Sequence, residues 1–316
     1  MKNVWEVFTV FLRLGLTSFG GPVAHLGYFH NEFVGRRKWI SDGAYADLVS
    51  LCQLLPGPAS SQVGISLGLA RAGMAGAVVA WLGFALPSAV LMVAFALGLT
   101  HFQSYLSDGF LHGLRIVAVA VVAQALWAMG VKLCPDKRRA TIAVAAALLT
   151  SCFSFWWVQI AALIGGAVIG GFLLEQTSQV PHTPIKIGIG RKGAVLSLVI
   201  FIWFLVVLPV LIKLTGDQSL NLFDEFFRAG SLVFGGGHVV LPMSQSEVVP
   251  RGLMTNDVFM AGYGAAQALP GPLFTFAAYL GAISKGYPNG LMGASVALVA
   301  IFLPSFLLLV VVIPFW

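Results

Sequence analysis

Two apolar segments of this chain are each cut by a glycine- and proline-rich break, and the same pair of breaks returns later in the sequence. The first pair reads Phe-Gly-Gly-Pro-Val at 19–23 and Gln-Leu-Leu-Pro-Gly-Pro at 53–58. The second reads Phe-Gly-Gly-Gly-His at 234–238 and Gln-Ala-Leu-Pro-Gly-Pro at 267–272. The copies align at an offset of 215 residues at the first break and 214 at the second. A match of this length indicates an internal duplication, so the fold should contain two related halves.

The apolar segments are too extensive for a soluble protein. Charged residues make up 9% of the chain, hydrophobic residues 58%, and the mean hydropathy is +0.91. Such a chain cannot cover its surface with polar groups, so we expect an integral membrane protein embedded in the lipid bilayer. The net charge of +6 comes largely from loops beside apolar runs, which indicates membrane orientation and not nucleic-acid binding. The three cysteines have unrelated spacings and predict neither a metal site nor a disulfide.

Uninterrupted and broken apolar runs predict different kinds of helix. The uninterrupted runs fall at 74–99, 105–131, 140–153, 155–174, 194–214 and 290–313, most of them near the ~20 residues needed to cross a bilayer. Residues 140–174 could instead form one very long helix. The broken runs lie at 4–35, 43–71, 222–249 and 257–284, and we predict that each is a pair of half-helices that turns back without crossing.

Basic loop residues set the predicted orientation. Ten of the eighteen Lys and Arg residues cluster in three loops, which we assign to the cytoplasm: Arg36, Arg37, Lys38, Lys132, Lys137, Arg138, Arg139, Lys186, Arg191 and Lys192. Five crossings then separate the two copies, so the second copy should have the opposite orientation. A parallel duplication is the alternative, because one miscounted helix would restore it.

The predicted fold is therefore an all-α, polytopic membrane protein with two inverted-topology repeats that contain broken, re-entrant half-helices. Residues 1–135 should form the first repeat, 136–215 the connecting transmembrane helices, and 216–316 the second repeat.

The four breaks are the predicted binding site. Non-helical backbone is tolerated inside a bilayer only where protein or a water-filled cavity receives its polar groups. Helix N-termini at the breaks would offer free N–H donors and partial positive charge, which suits a small dianion. The predicted ligands are the glycines of the breaks, nearby hydroxyls and amides, and two repeat-related arginines: Gly20, Gly21, Gly57, Gly235, Gly236, Gly271, Ser60, Ser61, Thr275, Gln53, Gln267, Arg13 and Arg228. The alternative is that Pro and Gly merely kink packed helices.

Several other polar residues lie within or beside the apolar segments. Three of them are candidate accessory residues: Arg115, His25 and His238. The alternative for Arg115 is an anchor between helices, and the alternative for each histidine is a packing residue with satisfied hydrogen bonds. Glu32 and Glu247 are equivalent in the two copies and could carry a coupling proton if burial favoured their neutral form. The alternative for Glu32 is an interfacial ion pair with a neighbour such as Arg36.

The paired breaks, together with the Glu-Phe-Val-Gly-Arg-Arg-Lys-Trp stretch at 32–39, resemble the bacterial chromate ion transporter family. The resemblance covers both halves. It implies a multi-pass protein of the bacterial inner membrane that exports chromate, driven by the proton motive force, with sulfate as an isosteric competitor. Members with both repeats usually continue for several more helices, so we expect a second repeat that lacks a counterpart of the 105–131 span, either in a shortened member or in a truncated chain.

Two other functions are compatible with the same residues: uptake of sulfate or another oxyanion, and an anion channel. An enzyme is a third class, but the chain has no metal-spaced ligand set, nucleophile motif or dinucleotide fingerprint. We therefore expect no catalytic residue, no metal and no cofactor. A homodimer is one oligomeric state that the sequence leaves open.

Overall fold

The computed structural model describes residues 2–102, 134–153, 156–173, 190–233 and 254–316, together with single positions between 109 and 131. The described residues form helices and loops, with no β-strand among them, which confirms the all-α class. The chain divides into two compact units, Met1–Ala118 with His182–Trp316, and Val119–Pro181. The predicted span at 105–131 lies largely outside the described residues.

The first half contains four helices that precede the span at 105–131. Helix α1 covers Lys2–Thr17, α2 covers Gly21–Phe29 and continues as a π-helix over His30–Arg36, α3 covers Asp42–Leu54, and α4 covers Ala59–Phe102. Non-helical residues separate α1 from α2 and α3 from α4, so the predicted breaks in 4–35 and 43–71 are confirmed.

The first break follows from local backbone chemistry. Gly20 and Gly21 have φ angles of 95° and 76°, which glycine adopts without a steric cost, and Pro22 lies in the first turn of α2. On either side of the break, α1 and α2 pack together through aromatic rings. Phe11 of α1 meets Phe29 at the end of α2 with ring centroids 5.6 Å apart, and both side chains are fully buried. The break therefore lets two short helices share one core.

Helix α4 reverses direction near its first third. Ala72 and Gly73 have non-helical angles, and Gly73, with φ of 66° and ψ of −158°, occupies a region that is almost restricted to glycine. A Cβ added to Gly68 or to Gly76 would clash with the carbonyl of the other residue, so the two arms of α4 are in backbone contact. Residues eight apart in a straight helix would be ~12 Å apart along its axis. The arms 59–71 and 74–102 are therefore two packed helices, as the separate segments at 43–71 and 74–99 predicted.

Two helices of the unit Val119–Pro181 lie wholly within the described residues. Helix α5 covers Lys137–Cys152 and α6 covers Trp156–Leu173. Phe153 has extended backbone angles and ends α5, so residues 140–174 do not form one long helix. Arg138 Nη1 donates a hydrogen bond of 3.1 Å to the carbonyl of Leu173, which places the start of α5 beside the end of α6.

The second half contains the remaining helices. Helix α7 covers Arg191–Thr215, α8 covers Gln218–Leu232, α9 covers Asn256–Ala268, α10 covers Phe276–Ile283 after a 3₁₀ turn at Leu273–Thr275, and α11 covers Gly290–Val312, ending in a 3₁₀ turn at Ile313–Phe315. The predicted break in 257–284 is confirmed between α9 and the 3₁₀ turn. Helix α8 ends where the break in 222–249 was predicted, and the residues after Val233 lie outside the described ranges up to Met254.

Three described helical stretches are long and apolar enough to cross a membrane: Ala59–Leu99, Arg191–Thr215 and Gly290–Phe315. Because α4 reverses at Gly73, the first stretch comprises two arms. Many large apolar side chains of α7 are exposed, among them Val195, Leu196 and Val206. Such an apolar surface is suited to lipid and would be unusual on a soluble monomer.

The two halves repeat the same helix contacts. Gly15 of α1 lies against the carbonyls of Gly83 and Phe84 in the second arm of α4, and Gly230 of α8 lies against the carbonyl of Ile301 in α11. Gly281 and Gly293 bring α10 and α11 together, as Gly68 and Gly76 do for the two arms of α4. Each contact brings two backbones closer than a side chain would allow. Helices α1, α3 and α4 therefore correspond to α8, α9 and the α10–α11 pair.

Candidate functional site

The two Pro-Gly-Pro motifs are each bound by the opposite half. The amide of Gly57 donates to the carbonyl of Val233 with an N···O distance of 2.7 Å, and the amide of Gly271 donates to the carbonyl of Ser18 at 2.9 Å. Gly57 and Gly271 are equivalent in the repeat, and so are Ser18 and Val233. The two hydrogen bonds are thus reciprocal. We call these four residues the crossing.

Glycine is required at both amide positions of the crossing. The φ angle is 111° at Gly57 and 104° at Gly271, which residues with a Cβ rarely adopt. A Cβ on Gly57 would lie 2.8 Å from Ser305 Oγ, and one on Gly271 would lie 2.7 Å from Ser88 Oγ. Both the backbone conformation and the space next to each Pro-Gly-Pro motif therefore exclude other residues.

Ser88 and Ser305 were not among the predicted site residues. Each follows a proline in a Leu-Pro-Ser sequence, at 86–88 and 303–305, and both are buried. The repeated Leu-Pro-Ser was visible in the sequence, but its meaning depends on the opposite half: the serine of one half packs against the Pro-Gly-Pro glycine of the other. The sequence showed that Leu-Pro-Ser is repeated, and the structure shows which glycine each serine contacts.

A buried polar cluster lies beside the crossing and belongs to the first half. Its members are Ser18, His25, Ser60, Ser61, Gln62 and Ser66, all of them buried. Gln62 Nε2 donates to the carbonyl of Pro56 at 2.7 Å and lies 3.4 Å from Ser305 Oγ, while His25 Nδ1 lies 3.5 Å from Ser60 Oγ. These contacts bring the predicted residues His25 and Ser60 together, and Ser61 is buried at the next position of α4.

Several polar atoms of this cluster have no hydrogen-bond partner among the described residues. These atoms are the hydroxyls of Ser18 and Ser61, His25 Nε2 and Gln62 Oε1. Buried polar atoms are nearly always paired, so unpaired ones mark a place where water or a ligand supplies the missing bonds. Serine hydroxyls can donate to an oxyanion, and Ser60 and Ser61 stand in the first turn of α4, where backbone N–H groups are also free.

The two repeat-related arginines have different surroundings. Arg228 Nε pairs with Asp224 Oδ2 at 2.8 Å, and its Nη2 donates to the carbonyl of Leu205 at 2.6 Å. Pro209 has no N–H, so it leaves the carbonyl of Leu205 without its helical partner, and Arg228 replaces that bond. Arg13 is exposed and has no ion-pair partner among the described residues. That both arginines hold an oxyanion stays a prediction.

The other predicted ligands differ in how deeply they are buried. Thr275 is buried and its hydroxyl donates to the carbonyl of Pro272 at 2.8 Å, and Gln267 Nε2 donates to Tyr263 Oη at 3.1 Å. Gln53 and Gly20 are exposed, and Gly21 is half-buried. The buried ligands that the structure brings to the crossing are therefore the Pro-Gly-Pro glycines and the hydroxyl residues that follow them.

Glu32 lies in an ion-pair network near the ends of α1 and the π-helix. Its carboxylate pairs with Arg36 at 3.0 Å and with Arg37 at 2.6 Å, and Arg37 also pairs with Glu6 at 2.9 Å. Arg71 completes the network through Glu6 at 3.0 Å. These contacts correspond to the ion-pair alternative for Glu32, and a coupling role for this residue stays a prediction.

Five candidate residues lie outside the described ranges: Arg115, Gly235, Gly236, His238 and Glu247. Among the residues that the structure describes, no group of three or more His, Cys, Asp or Glu side chains could hold a metal ion. The three cysteines do not form disulfides with one another: Cys52, Cys134 and Cys152 are free thiols.

Comparison with known proteins identifies the family. The family model described as chromate transporter matches residues 5–171 and 220–316, which include both pairs of breaks. The chain belongs to the chromate transporter family. Its function is thus of the transport class, which is not a class of enzymes, and its place is in a membrane.

The chromate transport protein of Pseudomonas aeruginosa is 30% identical over 308 residues, covering 95% of this chain and 70% of that protein. The chromate transport protein of Cupriavidus metallidurans is 28% identical over 325 residues, covering 98% of this chain and 74% of that protein. A shorter relative, the uncharacterized transporter YwrA of Bacillus subtilis, is 41% identical over 97 residues, covering 30% of this chain and 52% of that protein. No solved structure matches the chain.

Proposed function

We propose that this chain is an inner-membrane oxyanion transporter that exports chromate by alternating access, driven by the proton motive force. The observation that carries the proposal is the crossing, where a buried polar cluster with unpaired donors lies at the contact between the two halves. Membership of the chromate transporter family and the names of the two long relatives support chromate as the substrate.

The crossing suits a tetrahedral dianion because its donors are backbone amides and hydroxyls. A hydrogen bond to a charged group contributes about 1.5–3 kcal/mol, roughly twice a neutral one. In the described conformation the carbonyls of Val233 and Ser18 accept from the two glycine amides. An oxyanion that takes these amides must displace the carbonyls and so separate the two halves locally. Substrate binding would thereby be linked to the relative movement that alternating access requires.

The two repeats are proposed to be inverted. The reciprocal hydrogen bonds of the crossing support a two-fold relation between the halves. A parallel duplication could also have a two-fold axis, so these bonds do not distinguish it from an inverted one. The basic loop at 36–38 has three positive charges, whereas its counterpart at 250–255 has only Arg251. Loop charge of this kind favours inversion, with 36–38 in the cytoplasm.

The test is chromate transport into everted membrane vesicles of a bacterium that expresses the chain. We expect respiring vesicles to accumulate chromate and a protonophore to abolish the accumulation. Gly57→Ala should reduce the initial rate at least about tenfold, because the new Cβ would lie 2.8 Å from Ser305 Oγ at a φ of 111°. Gly98→Ala is the matched control, since a Cβ there meets no atom within 4 Å, and it should transport normally.

The same assay separates the alternatives. Accumulation only in right-side-out vesicles would indicate oxyanion uptake. A flux that follows the electrical potential without saturating would indicate a channel. Normal export by a well-expressed Gly57→Ala variant would contradict the assignment of the crossing as the binding site.

A further inference from the structure

His25 is the one titratable side chain of the polar cluster, and it is fully buried. It lies in the second turn of α2. Its Nδ1 is 3.5 Å from Ser60 Oγ, and its ring stands edge-on to Phe84 with centroids 5.2 Å apart. The ring also faces the backbone of Ser18, whose carbonyl accepts from Gly271. His25 therefore connects the start of α4 with one hydrogen bond of the crossing.

The second ring nitrogen of His25, Nε2, is the one that lacks a hydrogen-bond partner among the described residues. This atom is buried. If Nδ1 carries the hydrogen and donates to Ser60, Nε2 has a free lone pair that can accept a proton. No charged side chain of the described residues pairs with this ring. The groups that face it, Ser60, Phe84 and the Ser18 backbone, are all neutral.

The histidine–serine pair is absent from the second half. The positions equivalent to His25 and Ser60 are Val240 and Phe274, so both polar residues are replaced by apolar ones. The crossing itself is present in both halves. The pair is therefore not part of what the two copies share, and it gives the first half a titratable group that the equivalent positions of the second half lack.

Imidazole is the side chain that changes charge most readily near neutral pH. A buried imidazole surrounded by neutral groups favours its uncharged form. A dianion bound at the crossing would be the strongest charge near His25 and would favour the imidazolium. By linkage, oxyanion binding then promotes proton binding, and protonation promotes oxyanion binding by the same factor.

We propose that His25 is the proton-binding residue of the transport site, where the bound oxyanion draws a proton from water onto Nε2. The proton leaves an O–H bond of a hydronium ion, which becomes water, and forms an N–H bond with the free lone pair of Nε2. Ser60 is a positioning residue that keeps Nδ1 as the donor. This inference rests on the proposed oxyanion function and places the proton on His25 instead of Glu32, whose carboxylate already pairs with Arg36 and Arg37. A dianion that binds with one proton still has one negative charge, so the membrane potential, which is the electrical part of the proton motive force, would drive its export.

The experiment measures chromate binding and proton uptake with purified protein in detergent. Chromate itself takes up protons in this pH range, so the quantity of interest is the difference between wild type and variant. Between pH 8 and pH 6 we expect wild-type affinity to rise at least about tenfold more than that of His25→Gln, which keeps hydrogen-bonding groups but cannot titrate. Binding to wild type in weak buffer should also take up more protons than binding to the variant.

Two further variants test whether the effect belongs to this site. His30→Gln is the matched control, because His30 lies on the same stretch but its Nε2 pairs with Asp42 at 2.6 Å, away from the crossing. It should behave as wild type does. Ser60→Ala should bind chromate with a reduced pH dependence, and its melting temperature shows whether it is folded.

Equal proton uptake by wild type and a chromate-binding His25→Gln variant would overturn the assignment of His25. If His25→Gln does not fold, an unchanged pH dependence in Ser60→Ala would overturn it. Failure of folded wild type to bind any oxyanion would overturn the proposed function itself, and with it this inference.

Discussion

Arg13 and Arg228 occupy equivalent positions, yet among the described residues only Arg228 has ion-pair and hydrogen-bond partners that explain its presence in an apolar segment. Asp224, four residues earlier, supplies a carboxylate, and the equivalent position in the first half is Thr9. The carbonyl of Leu205, freed by Pro209, supplies a second acceptor. Arg228 thus joins α7 to α8, whereas Arg13 is exposed on α1 and remains available for another partner.

We predict that replacing the two arginines has different consequences. Arg228→Ala should lower the free energy of unfolding by about 1–3 kcal/mol, because it leaves the carboxylate of Asp224 and the carbonyl of Leu205 without their donor. Arg13→Ala should change stability by no more than about 0.5 kcal/mol but should reduce chromate transport. Thermal unfolding in detergent and vesicle transport measure the two effects. Equal destabilisation by both changes would contradict the anchoring role of Arg228.

At the scale of the elements, small residues decide how the helices pack. The arms of α4 meet at Gly68 and Gly76, and α10 meets α11 at Gly281 and Gly293. Close backbone approach through glycine is a common way to join helices inside a membrane, where the hydrophobic effect does not drive their association. In this protein it allows each short half-helix to be held against a long one.

We predict that Gly68→Ala is destabilising although alanine is the better helix former. The added Cβ would clash with the carbonyl of Gly76, and overpacking of this kind costs about 1–3 kcal/mol. Gly98→Ala, in the same helix but with open space around it, should be neutral or stabilising by up to about 1 kcal/mol. Melting temperatures of the two variants provide the measurement. Equal stability would mean that the arms of α4 are not in backbone contact.

At the scale of the whole molecule, the described parts of the two halves share glycine contacts and reciprocal hydrogen bonds. Neither half satisfies its own Pro-Gly-Pro amide, since the acceptor for Gly57 is Val233 and the acceptor for Gly271 is Ser18. This reciprocity is the reason that we propose a single binding site at the contact between the two halves. The relation of each half to the membrane is a separate question, which loop positions can answer.

We predict that positions 37 and 251 lie on opposite sides of the membrane. Single cysteines at these positions can be labelled in intact cells with a membrane-impermeant maleimide, after Cys134 and Cys152 are replaced by serine. Cys52 is buried and can stay. We expect Arg251→Cys to react from outside and Arg37→Cys to react only after lysis. Lys192→Cys should behave as Arg37→Cys does, and labelling of positions 37 and 251 from the same side would contradict inversion.

Local backbone chemistry was predictable from the sequence. The breaks at 18–20 and 55–58 lie where Gly and Pro predicted them, because positive φ angles and missing N–H groups are properties of single residues. Contacts between distant residues were not predictable in the same way. Nothing near Arg228 in sequence indicates that the carbonyl of Leu205 needs a donor, since that need depends on Pro209 and on the packing of α7 against α8.

The reciprocal hydrogen bonds also constrain biogenesis. Gly57 is synthesised and inserted long before Val233 exists, so the first half must wait in the membrane with one of its central amides unpaired. Both hydrogen bonds can form only after the second half has been inserted. Their formation is therefore a late step in folding, and a chain that lacks the second half cannot complete it alone.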